Sequence, residues 1–134
     1  MEREHGQDAD RPRTSGEIRA VITREIVRLQ SEYYGQGPTR AKTYLDEDLV
    51  VVVLEETLTR AEKTLVDHGD DEAIAEIRRK FQQRMADSFT SVVEQATGRK
   101  VRSFLSESNV VDDVSVEIFL LGDPRTDMEG FEED

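Results

Sequence analysis

From Thr14 onward, apolar residues recur at helical intervals: Ile18, Ile22, Ile26, Leu29 and Tyr33, with Val21 widening the stripe. Thr14 and Glu17 have capping-box spacing, which predicts a helix start near Thr14 or Ser15. Gly35 suits the left-handed position that ends a helix, and Gln36-Gly37-Pro38 extends the break. A hairpin is expected next, with strands over residues 41–45 and 49–54 joined at Asp46-Glu47-Asp48. The second strand, LVVVVL, has no polar alternation, so it is buried on both faces or central in its sheet. Thr59 and Glu62 repeat the capping spacing and open a short helix that ends at His68-Gly69. Asp70 or Asp71 then caps a long helix to about Thr97, with Ile74, Ile77, Phe81, Met85, Phe89, Val92 and Ala96 along one face, and Gly98 stops it. Two more strands follow at 101–106 and 114–121. In the second, Val114, Val116, Ile118 and Leu120 share one face, with Ser115 and Glu117 on the other.

The order α-β-β-α-α-β-β predicts an α+β fold: a two-layer sandwich in which an antiparallel four-stranded sheet carries its helices on one face. Residues 14–121 form the expected domain, between a disordered arm (1–13) and an acidic disordered tail (122–134). The chain's 134 residues are one domain's worth. No internal repeat is visible. The longest apolar run, 49–54, falls far short of the ~20 residues that span a bilayer. No N-terminal stretch reads as a secretory signal, so a cytoplasmic protein is expected. With no cysteine in the chain, disulfides, thiol catalysis and thiolate metal sites are excluded.

The net charge is −12. That disfavours nucleic acid and anionic membrane as partners, because phosphate neutralisation drives binding to both. The tail after Leu121 holds six acids and one Arg, so the core of the chain is less acidic than the total suggests.

Candidate chemistry is sparse. His5 lies in the arm and His68 at a helix end, where it suits the helix dipole. The acid pairs Glu55-Glu56, Asp70-Asp71 and Asp112-Asp113 sit at element ends, where carboxylates cap helices and make turns. Ser103, Ser106 and Ser108 have no partner that spacing identifies, and no His or carboxylate spacing suggests a metal. The residues point away from an enzyme, and no metal or cofactor is expected. Two binding candidates remain. Gly35, Gly37, Arg40 and Lys42 could form a backbone nest for an anion, although the ordinary explanation is that Gly35 ends a helix and Pro38 stops it from resuming. Arg78, Arg79, Lys80 and Arg84 could dock an acidic partner or a second copy, although a solvated helix face explains them as well. Tyr33, Tyr34 and Tyr44 cluster around the Gly-rich loop, as at an interface or a helix end packed on a sheet.

Three stretches, EIVRLQSEYYGQGPTRAKTYLDEDLVVVVLEETLTRAEKTL, IRRKFQQRMADSFTSVVEQATGRKV and FLSESNVVDDVSVEIFLL, resemble in this order the MpsC-like domain family. YYGxGPTxA at 33–41, LTxAE at 58–62 and TGRxVxxFLS at 97–106 carry the resemblance, which runs from Glu17 to Leu121. The family is named for the small third component of a sodium-translocating, membrane-potential-generating system in bacteria. The resemblance implies a small soluble accessory and supplies no catalytic residues.

The reading is a non-enzymatic accessory or regulatory domain that forms a homodimer and associates with a membrane cation or inorganic-carbon transport complex, peripheral at the membrane. An anion or metabolite sensor is the alternative, and a nucleic-acid-binding regulator a third. An uncovered sheet face or edge motivates the dimer, since LVVVVL, Phe104, Phe119 and Leu121 need cover. Acid excess with four Lys against fourteen Arg fits a salty cytoplasm, or else a GC-rich genome combined with an acidic tail. A halophilic origin predicts a Tm that climbs steeply between low salt and molar KCl, and a flat response removes it.

Overall fold

Thr14 and Glu17 close the expected capping box: the Thr14 hydroxyl accepts from the Glu17 amide at 3.1 Å, and the Glu17 carboxylate accepts from the Thr14 amide at 2.9 Å. In the computed structural model, which describes residues 13–124, this box opens α1 (Ser15–Tyr34). Gly35 ends that helix at φ 76°, where its amide donates to the Ser31 carbonyl. β1 (Arg40–Asp46) and β2 (Leu49–Glu55) form the expected hairpin. Thr59 and Glu62 cap α2 (Arg60–Asp67) as predicted. The long helix α3 (Asp71–Thr97) has Asp70 at its N-cap position, but the Asp70 side chain makes no capping bond. β3 (Arg99–Asn109) and β4 (Val114–Pro124) are each longer than the pattern predicted. The expected arm and tail lie almost wholly outside the described residues; Gly122 to Pro124 continue β4.

The fold is α+β, with one four-stranded antiparallel sheet in the order β1-β2-β4-β3. The apolar β2 is therefore central, flanked by β1 and β4, in accord with its lack of polar alternation. α1 packs against β1 and α3, and α3 packs against β3. Ile22, Ile26 and Leu29 of α1 meet Val50, Val52 and Leu54 of β2, Phe119 and Leu121 of β4, and Met85, Phe89, Val93 and Ala96 of α3 in one core. Phe104 joins the layers, stacked on Phe119 at 4.8 Å and edge-on to Phe89 at 6.4 Å between ring centroids. Leu58, Ile74 and Val110 form a smaller cluster at the other end.

The buried stripe of α3 differs from the apolar one. It runs Ile74, Arg78, Gln82, Met85, Phe89, Val93 and Ala96, while Ile77 is 45% exposed. Arg78 and Gln82 hold core positions because each finds partners inside. On α1, Tyr33 turns outward and Tyr34 packs instead, its ring 4.8 Å from that of Phe81. On β4 it is Ser115, Glu117, Phe119 and Leu121 that face the helices, and the more uniformly apolar set Val114, Val116, Ile118 and Leu120 lies on the open side.

Phe89→Ala is expected to lower the unfolding free energy by about 3–5 kcal/mol. Ile77→Ala should stay within about 0.5 kcal/mol, the usual range for a surface position. Urea denaturation of both variants checks the assignment, and the reverse ranking would return Ile77 to the core stripe.

Candidate functional site

At the predicted anion loop, Gly37 lies close to α1. A Cβ on Gly37 would stand 2.5 Å from Ser31 Oγ and 3.6 Å from Val27 Cγ1, so a side chain there would oblige the Ser31 hydroxyl to turn away. Between the glycines, Gln36 donates its amide to the Leu58 carbonyl at 3.1 Å. Arg40 is exposed at the start of β1, and the Lys42 ammonium lies 5.0 Å from the Tyr44 ring centroid on the outer side of the sheet. The recess beside this loop is lined by Gln36, Thr39, Glu56, Arg60, Lys63, Asp67 and Asp113 among others, and none of Gly35, Gly37, Arg40 or Lys42 lies on its wall.

Of the predicted docking strip, Arg79, Lys80 and Arg84 are at the surface. Arg78 is only 3% exposed, which corrects its expected place on a solvated face. Its guanidinium grips Glu62 with two bonds, Nε to Oε2 at 3.0 Å and Nη2 to Oε1 at 2.6 Å. Nη2 also donates to the Thr57 carbonyl at 2.9 Å, and the Tyr34 ring lies 3.8 Å from Cζ. This is the planar, forked recognition that a guanidinium provides and an ammonium does not. Burial opposes the Glu62 charge, but the Arg78 hydrogen bonds and the Thr59 cap outweigh it and hold the carboxyl below its ordinary range. Burial pushes the Tyr34 phenol up to about 12, against the pull of Arg78.

The connector that Arg78 touches is fixed from its other side by Asp113. Its Oδ1 accepts the Thr57 amide at 2.8 Å and the Leu58 amide at 3.1 Å, while its backbone carbonyl takes the Glu56 amide at 2.9 Å. Asp113 and Glu56 both adopt positive φ, near 58°, to make this junction. Of the paired acids, Glu56 and Asp113 thus serve a turn junction, whereas Asp70 makes no side-chain cap. His68 caps α2, with its Nδ1 2.8 Å from the Thr64 carbonyl.

A second polar group lies one turn further along α3, on the core side of β3 and β4. Gln82 Nε2 donates to Ser108 Oγ at 2.7 Å, Ser108 to Ser115 at 3.2 Å, and Ser115 to Glu117 Oε2 at 3.0 Å. Glu117 is 0% exposed. Burial raises its carboxyl above the ordinary Glu value, partly offset by the Ser106 and Ser115 hydroxyls. Sequence reasoning missed this group. The available signal was that Ser115 and Glu117 continue at two-residue steps into Phe119 and Leu121, residues that need cover.

Among the described residues, no helix covers the opposite side of the sheet. Its central rows are Lys42-Val53-Val116-Glu107, Tyr44-Val51-Ile118-Leu105 and Asp46-Leu49-Leu120-Ser103, read across β1, β2, β4 and β3. Tyr44 is 48% and Leu105 52% exposed there. A groove of about 640 Å³ runs between α1 and α3 instead. Its arginines Arg24 and Arg28 already pair with Glu25, and Arg28 also with Glu32. Among the described residues, no helix is long and apolar enough to cross a membrane.

A family described as "Na+-translocating membrane potential-generating system (MpsC)" matches residues 14–123. An uncharacterised protein of Bacillus subtilis (strain 168), YbcI, is 27% identical over 95 residues, covering 69% of this chain and 75% of that protein. No solved structure matches the chain.

A carboxyl whose folded-state pKa lies above its unfolded value contributes stability below that unfolded value and loses the contribution as pH rises through the folded one. Glu117→Gln removes the ionisation and is expected to gain on the native chain as pH climbs above the ordinary Glu value of 4.5. Thermal melts from about pH 4 to about pH 8 test this, and parallel curves for the two proteins contradict it.

Proposed function

The chain belongs to the MpsC family, and on that premise we propose that it is a non-enzymatic accessory subunit of a membrane cation or inorganic-carbon transport system. It acts by contact, sits peripherally at the membrane through its partners, and pairs with a second copy through the open face of its sheet.

The observation that supports this reading is the bare outer face. Val51, Val53, Val116, Ile118 and Leu120 form its centre, with Leu49, Leu105 and Tyr44 around them. A contiguous apolar patch on one side of a sheet marks a contact surface, and stacking on another sheet is the usual way to cover one. The charges favour a copy of the same chain. A two-fold axis parallel to the strands lays β1 of one protomer over β3 of its partner and preserves the row order. Lys42 then faces the Glu107 row, Tyr44 the Leu105 row, and the Val53-Val116 and Val51-Ile118 pairs stack on themselves. The self-complementarity that an isologous dimer requires is thus built into the register. The partners in the membrane system then meet the remaining surface, where Arg79, Lys80 and Arg84 offer a basic strip on an otherwise acidic protein.

Ile118→Asp is expected to convert the dimer to monomer in sedimentation velocity without loss of helical signal. Lys42→Glu and Glu107→Lys should each weaken the dimer several-fold, and the double reversal should restore it, since rim charge pairs tune association modestly. Coexpression with the membrane subunits of a homologous host, followed by mild detergent purification, tests the accessory role. A native chain that is monomeric at every concentration removes the dimer, and failure to co-purify removes the partnership.

A further inference from the structure

β3 is an edge of the sheet, and its two halves are finished differently. At its start, register shifts fall between Arg99 and Ser103, the Glu94 carboxylate accepts from the Val101 amide at 2.9 Å, and Arg99 is taken up by the Gly122 carbonyl and Asp48. Bulges and charged side chains of this kind keep an edge from recruiting another strand. Residues 103–109 have no such guard. They pair with β4 in unbroken register and contain no proline, and among the described residues no strand lies on their other side. The opposite edge, β1, is shorter, follows Pro38 and carries Lys42. One half-strand therefore keeps a row of backbone donors and acceptors open.

α3 runs beside this edge in the opposite direction to β3, since Gln82 meets Ser108 and Glu94 meets Val101. A recess of about 330 Å³ between them has Arg79, Gln82, Gln83, Ala86, Phe104 and Ser106 on its wall. Phe104 is only partly buried, although its ring stacks on Phe119. Among the described residues Arg79 makes no ion pair. A second recess, of about 430 Å³, lies further toward the β3–β4 turn, with Asp71, Glu72, Ala75 and Ser108 among its lining. On the outer side of the sheet, Leu105 stands exposed.

We propose that the open half of β3 receives an extended peptide segment of a partner protein as an added antiparallel strand. Main-chain hydrogen bonds hold such a guest, and pockets for its alternate side chains select it. Every second guest residue faces α3. An apolar side chain belongs opposite Phe104 and beside Ala86, a carboxylate opposite Ser106 within reach of Arg79, and a cation opposite Ser108 beside Asp71 and Glu72. Between the first two, a β-branched residue covers Leu105 on the outer side. From its N-terminus the guest thus reads basic, any, acidic, β-branched, apolar. This order excludes a second copy of β3, whose inward residues Phe104, Ser106 and Ser108 bring neither charge. The inference rests on the reading of the protein as one that acts by contact, and it stands whether or not the apolar sheet face pairs.

The probe is the amidated peptide KTEVLT, carrying fluorescein on an N-terminal spacer and titrated with the full chain in fluorescence anisotropy. Saturable binding is expected, with nitrogen-15 NMR shifts and slowed amide exchange centred on residues 103–109. Methylating alternate backbone nitrogens blocks one edge of the peptide only, so one of the two methylation frames should abolish binding and the other preserve it. Arg79→Glu, at an exposed position, should weaken KTEVLT several-fold and favour KTKVLT instead. The proposal is overturned by the absence of saturable binding, by equal binding in both frames, or by shifts centred on Val51 and Ile118. Protection of the 103–109 amides that rises with the concentration of the chain alone also overturns it, in favour of a second copy. Failure to co-purify with membrane subunits strikes the accessory role and leaves all these readouts unchanged, which keeps the two failures apart.

Discussion

A guanidinium keeps its charge at any pH a protein survives, so the burial of Arg78 dictates what surrounds it. Glu62 comes from α2, the Thr57 carbonyl from the connector after β2, and the Tyr34 ring from the end of α1. Asp113 then holds that connector from the β3–β4 turn. Four separate stretches of chain are thereby fixed around one side chain of α3. The short α2 has no fully buried residue, so its position rests on this ion pair and cap more than on packing.

Glu117 is the counterpart that can give up its charge. Its neighbours are hydroxyls and an amide, and no cation meets it, so the interior tolerates it most readily in the neutral form. The two polar groups occupy successive turns of α3, at Arg78 and Gln82, while Met85, Phe89, Val93 and Ala96 complete the same stripe with apolar packing. The helical layer is therefore divided along its length into a polar end and a dry end. Among the described residues, the outer side of the sheet has neither helix nor buried charge. Charge is handled inside and contact outside, on opposite faces of the same four strands.

Element order, both threonine caps and both glycine stops were legible because each rests on local chemistry: Thr14-Glu17, Thr59-Glu62, Gly35 and Gly98 need only their own neighbours. The class of fold followed from that order. Strand order was not legible, because nothing local tells β4 to insert between β2 and β3. Facing was harder still. Arg78, Gln82 and Ser115 are polar residues whose inward positions depend on partners 7 to 26 residues away, so periodicity alone placed Ile77 in the stripe and left Arg78 outside. The glycine-rich loop was legible as a pattern, whereas the close approach of Gly37 to Ser31 becomes visible only in three dimensions.

The strand order also bears on how the protein is made. β4, last of the four in sequence, is the piece that joins the early hairpin to β3. While a ribosome is still delivering residues 99–113, β3 has no hydrogen-bonded neighbour and the exposed edge of β2 faces water. The nascent chain must hold a hydrophobic hairpin and three helices in an unfinished state until β4 emerges. Late, all-at-once closure of this kind makes the growing polypeptide a natural client for chaperones that shield strand edges.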